Sequence, residues 1–247
     1  MAMFENFPKT RPPLTPEFEQ IYFEHYKNNR EGDTMGASLS QKMEIWMHKK
    51  VAKDIRNNTK KSTLEIGAGT LNQLKYEQPE PYDIIEPFHE LYANSPFRKY
   101  IRNIYSDIDE IETTAKYDRI TSIATFEHIL DLPKVVAKSA LLLNEKGVLR
   151  VAIPNEGTIF WKLGWRLTTG IEFKLKYGLD YGVLMKHEHI NCADEIEKVL
   201  IYFFNKHSCS YFGLGKKIAF YRFYECFEPN IEAAKSYCLS KLKKNEQ

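Results

Sequence analysis

One unit near the end of the first quarter of the chain constrains its fold more than any other feature. The run Leu64-Glu65-Ile66-Gly67-Ala68-Gly69-Thr70 is followed by Tyr82-Asp83-Ile84-Ile85-Glu86-Pro87. These segments read as strand, glycine loop, helix and second strand, with a carboxylate at the second strand's carboxyl end. Glycines let a backbone approach a ligand closely, and an acid placed there accepts hydrogen bonds from two ribose hydroxyls. The spacing from Gly67 to Glu86 meets the roughly 20 residues of a Rossmann-like nucleoside site.

The loop chemistry narrows the nucleoside. A dinucleotide loop wants G-x-G-x-x-G, but the series from Gly67 continues Ala68, Gly69, Thr70, Leu71, Asn72. Without the third glycine, close helix packing and pyrophosphate binding are poorly supported. Glu65, two residues before Gly67, repels anions and suits a cation. S-adenosylmethionine (SAM) carries a sulfonium and an amino group and no phosphate, so the residues favour it over NAD.

On these residues the chain resembles the class I SAM-dependent methyltransferases. Their first motif, E/D-x-G-x-G-x-G, is matched by Glu65, Gly67 and Gly69, with Leu71 where the last glycine often sits. The resemblance implies that Glu65 and the Gly67-Ala68-Gly69 loop hold the methionine end of SAM. It also implies that Glu86 takes the ribose diol and that Phe88 covers the adenine, although Phe88 equally reads as ordinary helix packing. Asp107, after the third strand, matches the family's carboxylate for the adenine amino group and equally reads as a helix N-cap. Ala124-Thr125-Phe126-Glu127-His128-Ile129 resembles the post-strand motif lining the sulfonium side, which puts Thr125, Phe126 and His128 at the pocket.

The rest of the chain alternates. Strands are expected at 62–67, 82–86, 101–105, 118–124 and 147–153, with helices after Thr70, near 88–95 and over 131–144. A further helix over 193–204 precedes two aromatic-rich strands, 207–213 and 217–226, around Gly213-Leu214-Gly215-Lys216. The expected fold is α/β and Rossmann-like. It has a central, mostly parallel seven-stranded sheet, a terminal antiparallel hairpin and helices on both faces, as the resemblance implies. Residues 1–58 form an amino-terminal helical cover (helices over 17–29 and 39–57). Residues 59–226 form the SAM-binding domain with an insertion at 155–191, and 227–247 a basic helix or tail.

Methyl transfer to an alcohol benefits from a general base. The insertion ends in Lys186-His187-Glu188-His189, where imidazoles with pKa near 6.5 suit neutral pH. In an extended segment His187 and His189 share one side, opposite Glu188. These two and His128 are the candidate catalytic residues. H-x-H spacing also suits two metal ligands, but no third ligand is apparent, so no metal is assigned. Arg30 is placed to reach the SAM carboxylate if the amino-terminal helices fold over the site. Trp161, Trp165, Phe173, Tyr177 and Tyr181 offer either aromatic surface for a ring-shaped substrate or a small subdomain core.

Composition excludes several partners. An apolar content of 43% and a net charge of +2 over 247 residues are ordinary for one globular α/β domain and give no footprint for nucleic acid or anionic membrane. The four cysteines lack C-x-x-C or zinc spacing. No stretch reaches a membrane span of about 20 apolar residues, and the start lacks a secretion signal, so a cytoplasmic location is expected. Lys176–Tyr181 with Met185–Asn191 is similar to small methyltransferases of bacterial surface-polysaccharide pathways. That resemblance implies O-methylation of a sugar or sugar-linked small molecule, releasing S-adenosylhomocysteine. The alternatives are an idle SAM-binding scaffold or an NAD(P)-dependent sugar oxidoreductase. The latter lacks the phosphate-binding loop that it needs.

Overall fold

The structure is a computed structural model that describes residues 4–22, 37–55, 60–78 and 80–245. Arg30 and most of the first expected helix lie outside the described residues; within them, 16–22 are helical. The elements are α1 (Ala37–Ala52), β1 (Thr63–Ile66), β2 (Tyr82–Ile85), α2 (His89–Tyr92), β3 (Ile101–Tyr105), β4 (Tyr117–Ile123) and α3 (Leu132–Leu142). They continue as β5 (Leu143–Pro154), α4 (Ile159–Leu167), α5 (Thr169–Tyr177), α6 (Tyr181–Glu188), α7 (Ala193–Phe203), β6 (Phe204–Phe212), β7 (Tyr221–Pro229) and α8 (Ile231–Asn245).

These strands form one seven-stranded sheet in the order β3-β2-β1-β4-β5-β7-β6. β3, β2, β1, β4 and β5 pair in parallel, and β7 pairs antiparallel with both β5 and β6. β1 and β2 are buried at every residue, as strands covered by helices on both faces must be. The chain runs outward from β1 through β2 to β3 and then crosses back to β4 on the other side of β1. That reversal is where open α/β sheets bind ligands, beyond the carboxyl ends of the strands.

The expected alternation, sheet and terminal hairpin are all present. The hairpin strands are displaced from the expected bounds, the first toward the amino end and the second toward the carboxyl end, with Phe204–Phe212 facing Tyr221–Pro229. The helix after Thr70 is a single 3₁₀ turn, Asn72–Lys75. The insertion folds as three short helices, α4 to α6. Phe173, Tyr177 and Tyr181 pack there with Phe18 and Leu184 in their own apolar cluster; Trp161 instead stacks near His189.

Two buried arginines dock α1 on the sheet. Arg119 of β4 reaches both Glu77 oxygens (2.8 and 3.0 Å) and donates to the Val51 carbonyl. Arg150 of β5 donates to the Val51 and Lys50 carbonyls. The last carbonyls of a helix have no intrahelical partner and carry the negative end of its dipole, so two guanidinium groups there satisfy both demands.

Candidate active site

A cleft of about 700 Å³ opens at the β1–β4 reversal. It is lined by the loop from Glu65 to Thr70, by Glu86 and Phe88 after β2, by Asp107 after β3, and by Thr125 and His128 after β4. Arg11, Tyr22, Glu44, Met47 and His48 close it from the amino-terminal side. Most of the sequence-derived positions therefore meet at one cleft.

The loop geometry explains the two glycines. Gly67 has φ +72° and Gly69 φ +52°, a region that side chains disfavour. A Cβ on Gly67 would lie 2.3 Å from Thr125 Oγ1, whereas one on Gly69 meets nothing within 4 Å. Gly67 thus lets the β1 and β4 loops touch, and Gly69 leaves open space beside the cleft. Leu71, where a third glycine often sits, also takes a left-handed conformation (φ +65°), held by a fully buried side chain. Apolar packing there offsets a backbone cost of about 1–2 kcal/mol.

The two acids differ in their surroundings. Glu86 is 4% exposed; its Oε2 accepts the Gly69 N–H (2.8 Å) and its Oε1 the Phe88 N–H (3.0 Å). An ionised carboxylate offers about four lone-pair sites, so two remain for a ribose diol, which fits the nucleoside expected. Glu65 is deeply buried and accepts the Tyr82 hydroxyl at 2.6 Å. Burial pushes its pKa up to about 8, against the pull of that hydrogen bond.

The other positions divide. Phe88 is 52% exposed at the cleft edge. Asp107 lines the cleft while its Oδ1 accepts the Asp109 N–H (2.8 Å), so its capping role and its place at the cleft coexist. Thr125 donates to the Ile123 carbonyl. Phe126, expected at the cofactor, has its ring fully buried in the main core, because the turn after β4 directs its apolar side chain inward.

The histidines are arranged otherwise than an extended segment would place them. His187 and Glu188 end helix α6 and His189 follows as its cap. At about 100° per residue in a helix, His187 turns away from His189. His187 Nδ1 sits 2.8 Å from the Pro12 carbonyl, and its ring meets Tyr22 edge-on; it does not line the cleft. His189 instead packs against His128, ring centroids 4.9 Å apart.

A polar cluster results. His128 Nδ1 lies 2.9 Å from the Glu188 carbonyl and 3.1 Å from Glu188 Oε2. His189 Nδ1 lies 2.9 Å from Glu156 Oε2, which also accepts the Trp161 indole N–H. Burial lowers the His128 pKa, but the hydrogen bond to Glu188 and the charge of Glu127 outweigh it and raise the net value. Burial likewise works to raise the Glu188 pKa, yet His128, Tyr22 and Arg11 hold it at about 2. Burial drives the Glu127 carboxyl upward.

Arg11 and Glu156 were not signalled by any motif. Arg11 donates to the carbonyls of His128, His187 and Glu188, contacts at sequence separations no local pattern exposes.

Comparison with known proteins agrees with the fold. A model of the family described as "Methyltransferase domain" matches residues 43–198. Similar solved structures include a Thermotoga maritima SAM-dependent methyltransferase described as a possible histamine N-methyltransferase. It is 14% identical with TM-score 0.51, and the match covers 86% of this chain and 98% of that one. The plantazolicin methyltransferase BpumL, in complex with a pentazolic desmethylPZN analog and SAH, is 14% identical with TM-score 0.56, covering 86% and 91%. A Clostridium acetobutylicum S-adenosylmethionine-dependent methyltransferase is 14% identical with TM-score 0.51, covering 85% and 99%. No curated protein matches. With more than half its length matched by the family and the sheet order, loop and acids in place, the chain belongs to the methyltransferase-domain family, on the class I SAM-dependent methyltransferase fold.

Proposed function

We propose that this SAM-dependent methyltransferase methylates a hydroxyl of a sugar or sugar-linked small molecule, bound at the His128 end of the cleft. The observation that carries the acceptor side is the cluster of Glu127 and His128, just after β4, with Glu188 and His189 at the end of α6, beside the loop assigned to the cofactor. When bound, SAM supplies an electrophilic methyl group on a positively charged sulfur. The chain's own work is alignment, water exclusion and removal of the hydroxyl proton. As the O–H bond breaks, an O–C bond forms and the C–S bond breaks; the bonding pair leaves on sulfur, giving an ether and a neutral thioether. A hydroxyl needs help with its proton, and the cluster puts basic nitrogen and carboxylate groups at the cleft wall. Asp107 and Glu86 serve the adenosine end in this reading, with Phe88 against the base. Among the described residues no helix is long and apolar enough to cross a membrane, and the substrate is taken to be a small carbohydrate acceptor.

Calorimetric titration with SAM, S-adenosylhomocysteine and NADPH in parallel tests the cofactor side, with micromolar binding expected for the first two alone. An acceptor screen starting from sugar nucleotides then tests the substrate. His128→Ala is expected to lower turnover about 100-fold or more while SAM affinity stays within twofold; full turnover would move the chemistry off this cluster. Glu86→Ala is expected to weaken SAM by about 1.5–3 kcal/mol, the range for hydrogen bonds to a charged acceptor. Unchanged affinity by calorimetry would remove Glu86 from the ribose site.

A further inference from the structure

We propose that Glu127, His128 and His189 form a binding site for a divalent transition-metal cation at the wall of the cleft. The proposal rests on the reading of this cleft as a methyltransferase site and gives its acceptor end a ligand. One ligand atom from each of the three residues lies within 4.8 Å of the other two. Ligands held at about 2.0–2.2 Å from one cation in a tetrahedral shell stand roughly 3.3–3.6 Å apart. Side-chain adjustments of about an ångström therefore close the set.

Three further observations point the same way. First, both imidazoles have Nδ1 against acceptors only: His128 against the Glu188 carbonyl and carboxylate, His189 against the Glu156 carboxylate. With the Nδ1 proton of each ring given to that acceptor, Nε2 is the nitrogen left to ligate a cation. His128 Nε2 is 3.7 Å from Glu127 Oε1. A carboxylate behind each histidine is the arrangement that orients metal-bound imidazoles and raises their basicity. Second, Glu127 is 1% exposed, and its Oε2 is buried without a hydrogen-bond partner. A carboxylate oxygen left unpaired in the interior is costly, and a cation would supply the missing partner. Third, the two segments carrying the ligands are fixed to each other. The Glu127 carbonyl accepts the N–H groups of Ile190 and Asn191, and Asn191 Nδ2 bridges the carbonyls of Phe126 and Ile129.

Charge balance agrees. Three carboxylates, Glu127, Glu156 and Glu188, surround two imidazoles; the neighbouring Arg11 spends its donors on backbone carbonyls. Two imidazoles and one carboxylate suit zinc, iron or manganese better than magnesium, which prefers an all-oxygen shell. His128 is the ligand that lines the cleft, so the cation lies within reach of an acceptor hydroxyl and would lower its pKa.

The test is calorimetry on the full chain, stripped with a chelator and titrated with ZnCl₂, MnCl₂ and MgCl₂, with SAM titrated into the same preparation. One equivalent of Zn²⁺ or Mn²⁺ is expected to bind, at least 100-fold more weakly in His189→Ala and in Glu127→Gln. Glu156→Gln, behind His189, is expected to weaken it 10–100-fold. Circular dichroism verifies that each variant folds; if Glu127→Gln does not, His189→Ala and Glu156→Gln carry the comparison. Cation binding unchanged in the variants, or no cation binding while SAM binds normally, overturns the proposal and leaves the methyltransferase reading intact. Failure of SAM itself to bind would instead overturn that reading.

Discussion

Gly67→Ala is expected to reduce SAM affinity by more than an order of magnitude and to destabilise the protein by about 2–5 kcal/mol. Two costs add. Alanine at φ +72° is disfavoured by about 1–2 kcal/mol. Its Cβ would also meet Thr125 at Oγ1, Cγ2 and Cβ, at 2.3, 2.4 and 2.9 Å, an overpacking worth about 1–3 kcal/mol. Relief requires moving the loop away from β4, which displaces the Gly69 N–H from Glu86 and widens the proposed cofactor cradle. For a chain of this size the melting temperature should fall by roughly 5–15 °C. Gly69→Ala is the informative contrast: it meets nothing within 4 Å, so it should cost only the backbone term while still obstructing the cleft. Thr125→Ala in the Gly67→Ala background should recover part of the stability, because two of the three clashing atoms are removed. Scanning calorimetry and SAM titration of the four proteins check this. A Gly67→Ala protein with wild-type stability and affinity would refute the loop geometry.

Glu65→Gln is expected to act in opposite directions on stability and on binding. The folded carboxyl titrates at about 8, against an ordinary 4.5, because burial disfavours its charge. Below pH 4.5 both folded and unfolded chains hold the proton, and the residue contributes nothing to the pH dependence. Between 4.5 and about 8 the unfolded chain releases the proton and the folded chain keeps it, so stability falls as pH rises across that window. Glutamine keeps an acceptor for the Tyr82 hydroxyl and has no proton to release. The variant should therefore match wild type near pH 4.5 and melt several degrees higher at pH 8. Binding should move the other way. With the amino group of SAM proposed beside Glu65, the carboxyl must ionise as the cofactor enters, releasing a proton near neutral pH. SAM affinity should rise with pH up to about 8 in wild type and be lower and flatter in Glu65→Gln. Titration in two buffers of different ionisation enthalpy measures that proton directly. A binding enthalpy independent of buffer would remove Glu65 from the cofactor's amino end.

The sheet, its alternation with helices and the position of the cleft at its switch point were legible in the chain because each rests on short-range patterns. Apolar runs bounded by turn residues mark β1, β2, β4 and β5, and the Gly67–Gly69 loop with Glu86 follows a spacing that the strand–helix–strand unit imposes. Even Leu71 kept its place in the motif, since its buried side chain holds a left-handed backbone in place of glycine. Other features were hidden. His187 and His189 look equivalent as an H-x-H pair, but the end of α6 separates them: one turns toward Pro12, the other meets His128. Glu156, Arg11 and Asn191 complete that cluster across separations of 33 to 177 residues. The buried contacts of Arg119 and Arg150 with the end of α1 were equally silent. Local pattern thus determined the class of fold and the glycine-loop end of the cleft, because backbone conformation and strand burial depend on neighbours in sequence. Only the tertiary structure decided which imidazoles and carboxylates face one another, because those meetings are made by the packing of whole elements.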